Sequence, residues 1–385
     1  MSVRPELYSL RTSLAVLYFV SELTIFRTIA FPIFASLLGF SDLLIGEIVA
    51  VYNVSAILLY YPSSLFSERL GARTSITVSM LLFFLSNFLL AIGKTPLEFS
   101  LSFALLGATQ SFLIQRGSLI AANTTKPEET TFVYSFATST GFIGRMLASL
   151  CFSFFYFSRS LVDYRIGFFA LGVASFAPLP LMLKVKDTKK PVKYSFTPSK
   201  LNMVYSSVSF LVGFGQGITI TLLQLYFVEK GFNLFEVSLL YAASGAIGFF
   251  ASRFAKRYGK SPMIPYLVLS VFYAFSAALL SQGLYLTLIF YLLFSFSRFA
   301  RQVLGQTLLL EVLKAIGEVE KGLGTQAIMG DIGDSLGTVS QGYLFDLGEF
   351  SLSYIFGGLA ILSGSLLNYY FYGKFIKGAK SQTPK

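Results

Sequence analysis

The chain has no histidine and no tryptophan, a single cysteine and only 13% charged residues among 385. Without histidine it lacks the commonest metal ligand and the side chain that ordinarily titrates near neutrality, so any proton carrier must be a carboxylate. One cysteine, Cys151, excludes disulfides, iron–sulfur clusters and cysteine-built zinc sites. No nucleophile–base pair, metal cluster or phosphate loop is visible, and no metal or cofactor is expected. Gly213-Phe-Gly215-Gln-Gly217 has the spacing of a dinucleotide loop, but it lies in an apolar run with no preceding strand and reads as close helix packing.

What is present is apolar surface. The chain is 54% hydrophobic, with 42 Phe, and its mean hydropathy is +0.68. A soluble domain carries about 25% charged residues, so the composition describes a polytopic membrane protein with the lipid bilayer as its partner. Apolar runs bounded by Gly, Pro and charge give twelve expected spans: 12–37, 43–66, 75–92, 98–121, 130–156, 165–183, 202–228, 234–254, 262–280, 285–312, 323–345 and 352–372. The first is too long for a leader's apolar core and no small-residue cleavage site follows it, so it reads as a retained span.

The net charge of +11 would suggest nucleic acid in a soluble protein. Its distribution argues against that partner. With the N-terminus inside, inside segments hold 21 Lys and Arg and outside loops hold four: Lys94, Arg159, Arg165 and Lys230. This bias places both termini in the cytoplasm of a multi-pass cell-membrane protein. The expected plan is all-α: a six-helix bundle over 1–183, a cytoplasmic linker over 184–200, and a second bundle with a short tail over 201–385. Asn123-Thr-Thr matches a glycosylation acceptor but falls in an expected cytoplasmic loop, where it would not be used.

The two halves repeat. Ser64-Leu-Phe-Ser-Glu68-Arg69-Leu-Gly71-Ala-Arg73 returns as Ser252-Arg-Phe-Ala-Lys256-Arg257-Tyr-Gly259-Lys260, and Gly141 and Gly144 return as Gly330 and Gly333. On these features the chain resembles the major facilitator superfamily of twelve-helix secondary transporters. The family's loop after span 2 reads Gly-x-x-x-Asp-Arg-x-Gly-Arg-Arg/Lys. This chain offers Ser64, Glu68, Arg69, Gly71 and Arg73, with Ser for the first Gly, Glu for Asp and Ala72 for one basic residue. The resemblance implies that these residues, with Arg257 and Gly259 of the repeat, gate the cytoplasmic face. Two signatures of proton-coupled drug antiporters are missing: Phe103 stands in place of a span 4 arginine, and Gly144-Arg145 in place of a Gly-Pro.

Five arginines lie inside expected spans: Arg27, Arg116, Arg145, Arg298 and Arg301. Each costs about 2.5–3.5 kcal/mol at a helix centre on insertion scales. At 1.5 Å per residue, Arg27, Arg145 and Arg298 reach similar depth near the midplane. The embedded acids are Glu22, Asp331 and Asp334, candidates for proton coupling or ion pairing. Arg301 with Asp334, and Glu22 with Arg116, are the expected structural pairs, which leaves at least two cations without an acid. Arginine's planar fork matches carboxylate and phosphate oxygens. In the family, helices 1, 4, 7 and 10 line the cavity; Gln216 and Gln224 share a face of span 7, and Gln302 continues a polar stripe from Arg298.

The expected function is therefore alternating-access transport of a small organic or inorganic anion, a small-molecule substrate bound by the buried arginines, by a monomeric, non-enzymatic protein, with proton coupling through the acids. Proton-driven efflux of lipophilic compounds is the alternative. A membrane sensor or embedded enzyme, a different class, has no soluble domain or catalytic constellation behind it.

Overall fold

Residues 5–40, 42–155, 160–185, 199–220, 223, 226, 227 and 230–382 are described by a computed structural model of the chain. Their regular structure is helical throughout, with no strand among them. In the first half of the sequence these are α1 Pro5–Glu22, α2 Thr24–Leu37, α3 Asp42–Leu70, α4 Ala72–Ile92, α5 Pro96–Leu113, α6 Arg116–Asn123, α7 Pro127–Phe155, α8 Leu161–Ala174 and α9 Leu179–Met182. In the second they are α10 Lys200–Ile220, α11 Leu234–Ala255, α12 Met263–Ala278, α13 Leu284–Ile316, α14 Val319–Asp346 and α15 Phe350–Gln382.

Local chemistry sets several ends. Before α5, Thr95 Oγ1 accepts from the Glu98 amide at 3.3 Å while Glu98 returns a carboxylate oxygen to the Thr95 amide at 2.8 Å, with Pro96 at the first helical position. This reciprocal arrangement satisfies donors that a helix start leaves open. Gly317 ends α13 at φ +80, a left-handed conformation that costs glycine nothing. Arg165 gives its two terminal nitrogens to the carbonyls of Ala91 and Gly93 at 2.6 and 2.9 Å, closing the end of α4. An arginine read as a plain loop charge is thus a helix cap.

Among the described residues, eight helical stretches are long and apolar enough to cross a bilayer, from Leu7–Thr28 to Phe350–Lys374. Met263–Ala278 is apolar but shorter. The other long helices, α7, α13 and α14, contain the embedded charges Arg145, Arg298, Arg301, Asp331 and Asp334, which lower their hydropathy. Together these match the twelve-helix plan.

Three expected spans are not single rods, and span 6 is one of them, split between α8 and α9 at residues 175–178. Span 1 is interrupted at Leu23, whose amide reaches back to the carbonyls of both Phe19 and Val20 at 3.3 and 3.2 Å. Span 4 is interrupted at Ile114 and Gln115, where Gln115 N bonds Phe112 O at 3.3 Å. At Leu23 a tightened i→i+3 bond is shared with the regular α-helical one, and at Gln115 it stands in its place.

The chain divides into two compact units: Met1–Asn123, Phe136–Lys193 and Leu234–Phe249 form one, and Thr124–Ser135, Tyr194–Asn233 and Phe250–Lys385 the other. The division departs from the sequence midpoint at two helices. Gly245 and Gly248 of α11 pack on Phe142 and Met146 in the first unit, while Gly259 packs on Thr131 and Glu128 in the second. Most of the expected linker, 186–198, lies outside the described residues.

Within each unit the repeated glycines do the same work. A Cβ on Gly144 would lie 2.5 Å from the Phe19 carbonyl of α1, and one on Gly333 would fall onto the Phe210 carbonyl of α10. Gly213 and Gly217 of α10 meet the carbonyls of Gly330 and Asp334 as closely, so the glycine-rich motif is helix packing. We expect Gly144→Ala and Gly333→Ala each to lose about 1–3 kcal/mol through overpacking. Gly373→Ala, which meets nothing within 4 Å, should instead gain up to about 1 kcal/mol from helix propensity. Thermal unfolding in detergent checks both signs.

Candidate functional site

Arg27 on α2 is 1% exposed, the largest fully buried side chain of its unit. Its Nη1 donates to Ser86 Oγ of α4 at 2.5 Å and its Nη2 to Ser102 Oγ of α5 at 3.1 Å. The two serines donate to each other's carbonyls at 2.7 Å, so both hydroxyl oxygens are turned to the guanidinium as acceptors. The Phe103 ring covers one face, 4.2 Å from Cζ, and Nε has no hydrogen-bond partner. Ser102 and Phe103 belong to the stretch where the antiporter arginine is absent. Arg27 therefore packs inside its unit, while the next residue, Thr28, is exposed.

The acid of this unit goes to a different arginine from the one expected. Glu22 Oε2, at the end of α1, accepts Arg145 Nε of α7 at 2.8 Å, with 29% and 21% of the two side chains exposed. Gly141 makes this possible, since a Cβ there would stand 3.1 Å from Glu22 Cγ. Arg116 instead lies over the ring of Tyr18, 4.3 Å from its centroid, and hydrogen-bonds its hydroxyl. Tyr18 takes the place that sequence depth assigned to Glu22, because depth alone does not say which side of α1 a residue occupies.

In the second unit Arg301 on α13 is 4% exposed and likewise enclosed. Nη1 donates to the Tyr266 hydroxyl at 3.1 Å, the rings of Tyr266 and Tyr273 lie 5.5 Å from its Cζ, and Nε has no hydrogen-bond partner. Ser365 meets the Tyr266 hydroxyl at 3.3 Å, and Thr219 meets that of Tyr273 at 3.1 Å. The expected pairing of Arg301 with Asp334 is not made. The sequential helices α13 and α14 are poor neighbours here: α13 packs on α12, and α14 on α10.

Arg298 and both aspartates stay half-buried. Arg298 and Asp331 are the charged groups acting on Asp334, and the Tyr273 hydroxyl also feels both Arg298 and Asp334. The Asp334 carboxylate makes no hydrogen bond or ion pair among the described residues. The glycine repeat sets Asp334 beside Gly333 as Arg145 stands beside Gly144, so matching positions of the two units carry opposite charges. Gln216 is half-buried and Gln302 exposed. Gln224 lies outside the described residues.

The sequence matches the Major Facilitator Superfamily over residues 14–338. The chain belongs to this superfamily. Its solved structural relatives include the proton:xylose symporter XylE bound to 6-bromo-6-deoxy-D-glucose, at TM-score 0.75 and 16% identity, with 95% of this chain and 96% of that one covered. The major facilitator FucP in the outward conformation matches at TM-score 0.74 and 14% identity over 95% and 98%. The human organic anion transporter MFSD10 matches at 0.70 and 12% over 96% and 100%. At these identities the likeness is one of fold. Among curated proteins no relative matches.

The residues expected to gate the cytoplasmic face can now be placed. Gly71 adopts φ +97 at the start of α4, which only glycine does without strain. Arg73 Nη1 reaches the carbonyls of Leu183 and Val185 at 3.3 and 3.4 Å, capping the end of span 6. Glu68 is half-buried and Arg69 exposed, as is Arg257 in the repeat. Gly259 differs from Gly71 in having an ordinary φ of −57, and it is small because Thr131 and Glu128 press on it. Ser64 is fully buried, bonded to Tyr60 O at 2.8 Å and accepting Gln115 Nε2 at 3.0 Å.

Sequence reasoning missed Tyr18, Ser86, Ser102, Gln115, Tyr266 and Tyr273, all neutral partners of the embedded cations or, for Gln115, of Ser64. The only signal for them was a hydroxyl or amide in an apolar helix, which is too common to single out. The Arg27 geometry makes a prediction. Arg27→Met should fold with stability unchanged within about 1 kcal/mol or improved, because an apolar side chain of similar volume removes a desolvated charge. Ser86→Ala should cost about 1–3 kcal/mol with Arg27 present, by leaving a buried donor without its acceptor, and much less with Arg27→Met. A double-mutant cycle of thermal unfolding measures the difference.

Proposed function

We propose that the chain is a secondary transporter that carries a small anion together with a proton by alternating access. The observation that carries this is the Glu22–Arg145 pair, an embedded ion pair at 2.8 Å with both side chains partly exposed. Glu311, near the end of α13, has its own partner in Lys314 at 3.5 Å. Apart from that pair, the half-buried embedded cations are Arg116, Arg145 and Arg298, and the half-buried acids are Glu22, Asp331 and Asp334. Three cations and three acids balance in number. A bare anion entering this balance would add an uncompensated charge in a low-dielectric region, which is costly. Protonating one acid removes that cost and releases an arginine to take the anion in the acid's place.

Arg145 in the first unit and Arg298 in the second are the proposed anion ligands, with Arg116, Gln216 and Gln302 as further polar candidates. Asp334 is the proposed proton acceptor of the second unit and Glu22 that of the first. Arg27 and Arg301, enclosed by hydroxyls and rings, are assigned to holding helices rather than to the solute. The halves 1–183 and 201–385 are the proposed moving bodies, in a monomer with cytoplasmic termini. The 21 to four distribution of basic residues supports that orientation.

Uptake into liposomes tests this, with a panel of carboxylates and inorganic anions set against sugars and lipophilic cations, with and without an inward proton gradient. An anion should be preferred and the gradient should stimulate it. Arg145→Gln and Arg298→Gln should each lower uptake by about tenfold or more, the scale of about 1.4 kcal/mol for a lost charge-assisted contact. Asp334→Asn should reduce the response to the gradient. Preference for a sugar or a lipophilic cation, or uptake indifferent to both arginines, overturns the reading.

A further inference from the structure

The buried Ser64 of the expected gating segment and the Glu22–Arg145 pair lie on different helices, yet a route joins them through side-chain contacts, with one step along the backbone from Gln115 to Arg116 and one along α1 from Tyr18 to Glu22. Ser64 stands where the superfamily carries glycine, so its hydroxyl is an addition of this chain. That hydroxyl accepts Gln115 Nε2 at 3.0 Å, and Gln115, also 0% exposed, accepts Ser118 Oγ on its own oxygen at 3.0 Å. Gln115 is part of the interruption between α5 and α6. The next residue is Arg116, which covers the Tyr18 ring at 4.3 Å. Tyr18 and Glu22 are four apart on α1, one above the other. Gly141 packs against both: a Cβ there would stand 3.3 Å from Tyr18 Cβ and 3.1 Å from Glu22 Cγ.

Two interrupted spans of the unit therefore meet on this line, one at Gln115 and one at Leu23, just after Glu22. A continuous α-helix resists bending because each residue is held by an i→i+4 bond; the tightened turns at these two places mark where it yields. The line places one acid between two cations, with a neutral hydroxyl on one side: Arg116, the Tyr18 hydroxyl, Glu22, Arg145. Neutralising Glu22 removes the attraction that holds Arg145 on one side and leaves Arg116 with Tyr18 alone on the other.

We propose that Gln115 and Tyr18 are positioning residues that link the state of the Glu22–Arg145 pair to the turn between Ser64 and Arg73. The link uses the charge pair of the proposed function but is independent of which solute is carried. A string of contacts is only a route; coupling between its ends has to be measured as a free energy.

Thiol alkylation of the purified full chain in lipid nanodiscs, with no solute present, makes that measurement. Cys151→Ser removes the native thiol, and Ser67→Cys places a reporter in the turn, where Ser67 is 3% exposed. Glu22→Gln should change the reporter's alkylation rate by about fivefold or more, the lower end of ordinary coupling between sites. In Tyr18→Phe and in Gln115→Leu backgrounds that change should fall below about twofold. No response to Glu22→Gln, or a response that persists undiminished in both backgrounds, overturns the link. Should Gln115→Leu fail to fold, Ser64→Gly removes the same hydrogen bond with the superfamily's own residue and is read the same way. Because no solute takes part, failure here leaves the anion reading standing, and failure of anion uptake leaves this result interpretable.

Discussion

An ionised guanidinium inside an apolar helix bundle is the constraint on which the rest of this structure depends. It stays charged at any relevant pH, so the fold has to answer it with acceptors, rings or an acid. Two answers occur. Arg27 and Arg301 are enclosed by hydroxyls and aromatic faces, at 1% and 4% exposure. Arg145 is answered by Glu22, at a place where both side chains remain partly open. The first answer fixes helices against one another. The second keeps an ion pair within reach of exchange, which is what a binding site needs.

The glycine repeat supplies the geometry for both. Gly144 against Phe19 and Gly333 against Phe210 bring α1 and α10, the first helix of each half of the sequence, into backbone contact with a later one. At such short separation the neighbouring residues, Arg145 and Asp334, are delivered to matching places. One unit thus offers a cation and the other an acid at equivalent positions, a divergence that a duplicated fold can accommodate because the close approach depends only on the glycines.

The membrane class, the helix count and the family were legible in the sequence, since they follow from runs of apolar residues, the distribution of Lys and Arg, and the turn around Gly71. The embedded arginines were equally visible. Their partners were not. Depth along a helix was readable from residue number, but the pairing of Glu22 with Arg145 rather than Arg116 depended on which helices cross at Gly141. Arg301 escaped in the same way, because the assumption that sequential helices are neighbours fails for α13 and α14. The interruptions at Leu23 and Gln115 had no proline or glycine to announce them.

The central claim is that the accessible embedded charges balance, so that an anion enters only with a proton. Transport current on a supported membrane tests it most directly, with a monovalent carboxylate as solute and proton uptake followed by an internal pH dye. Electroneutral uptake is expected: proton and anion enter one for one and no sustained current flows. A current of the anion's own sign, with no accompanying proton, would contradict the account.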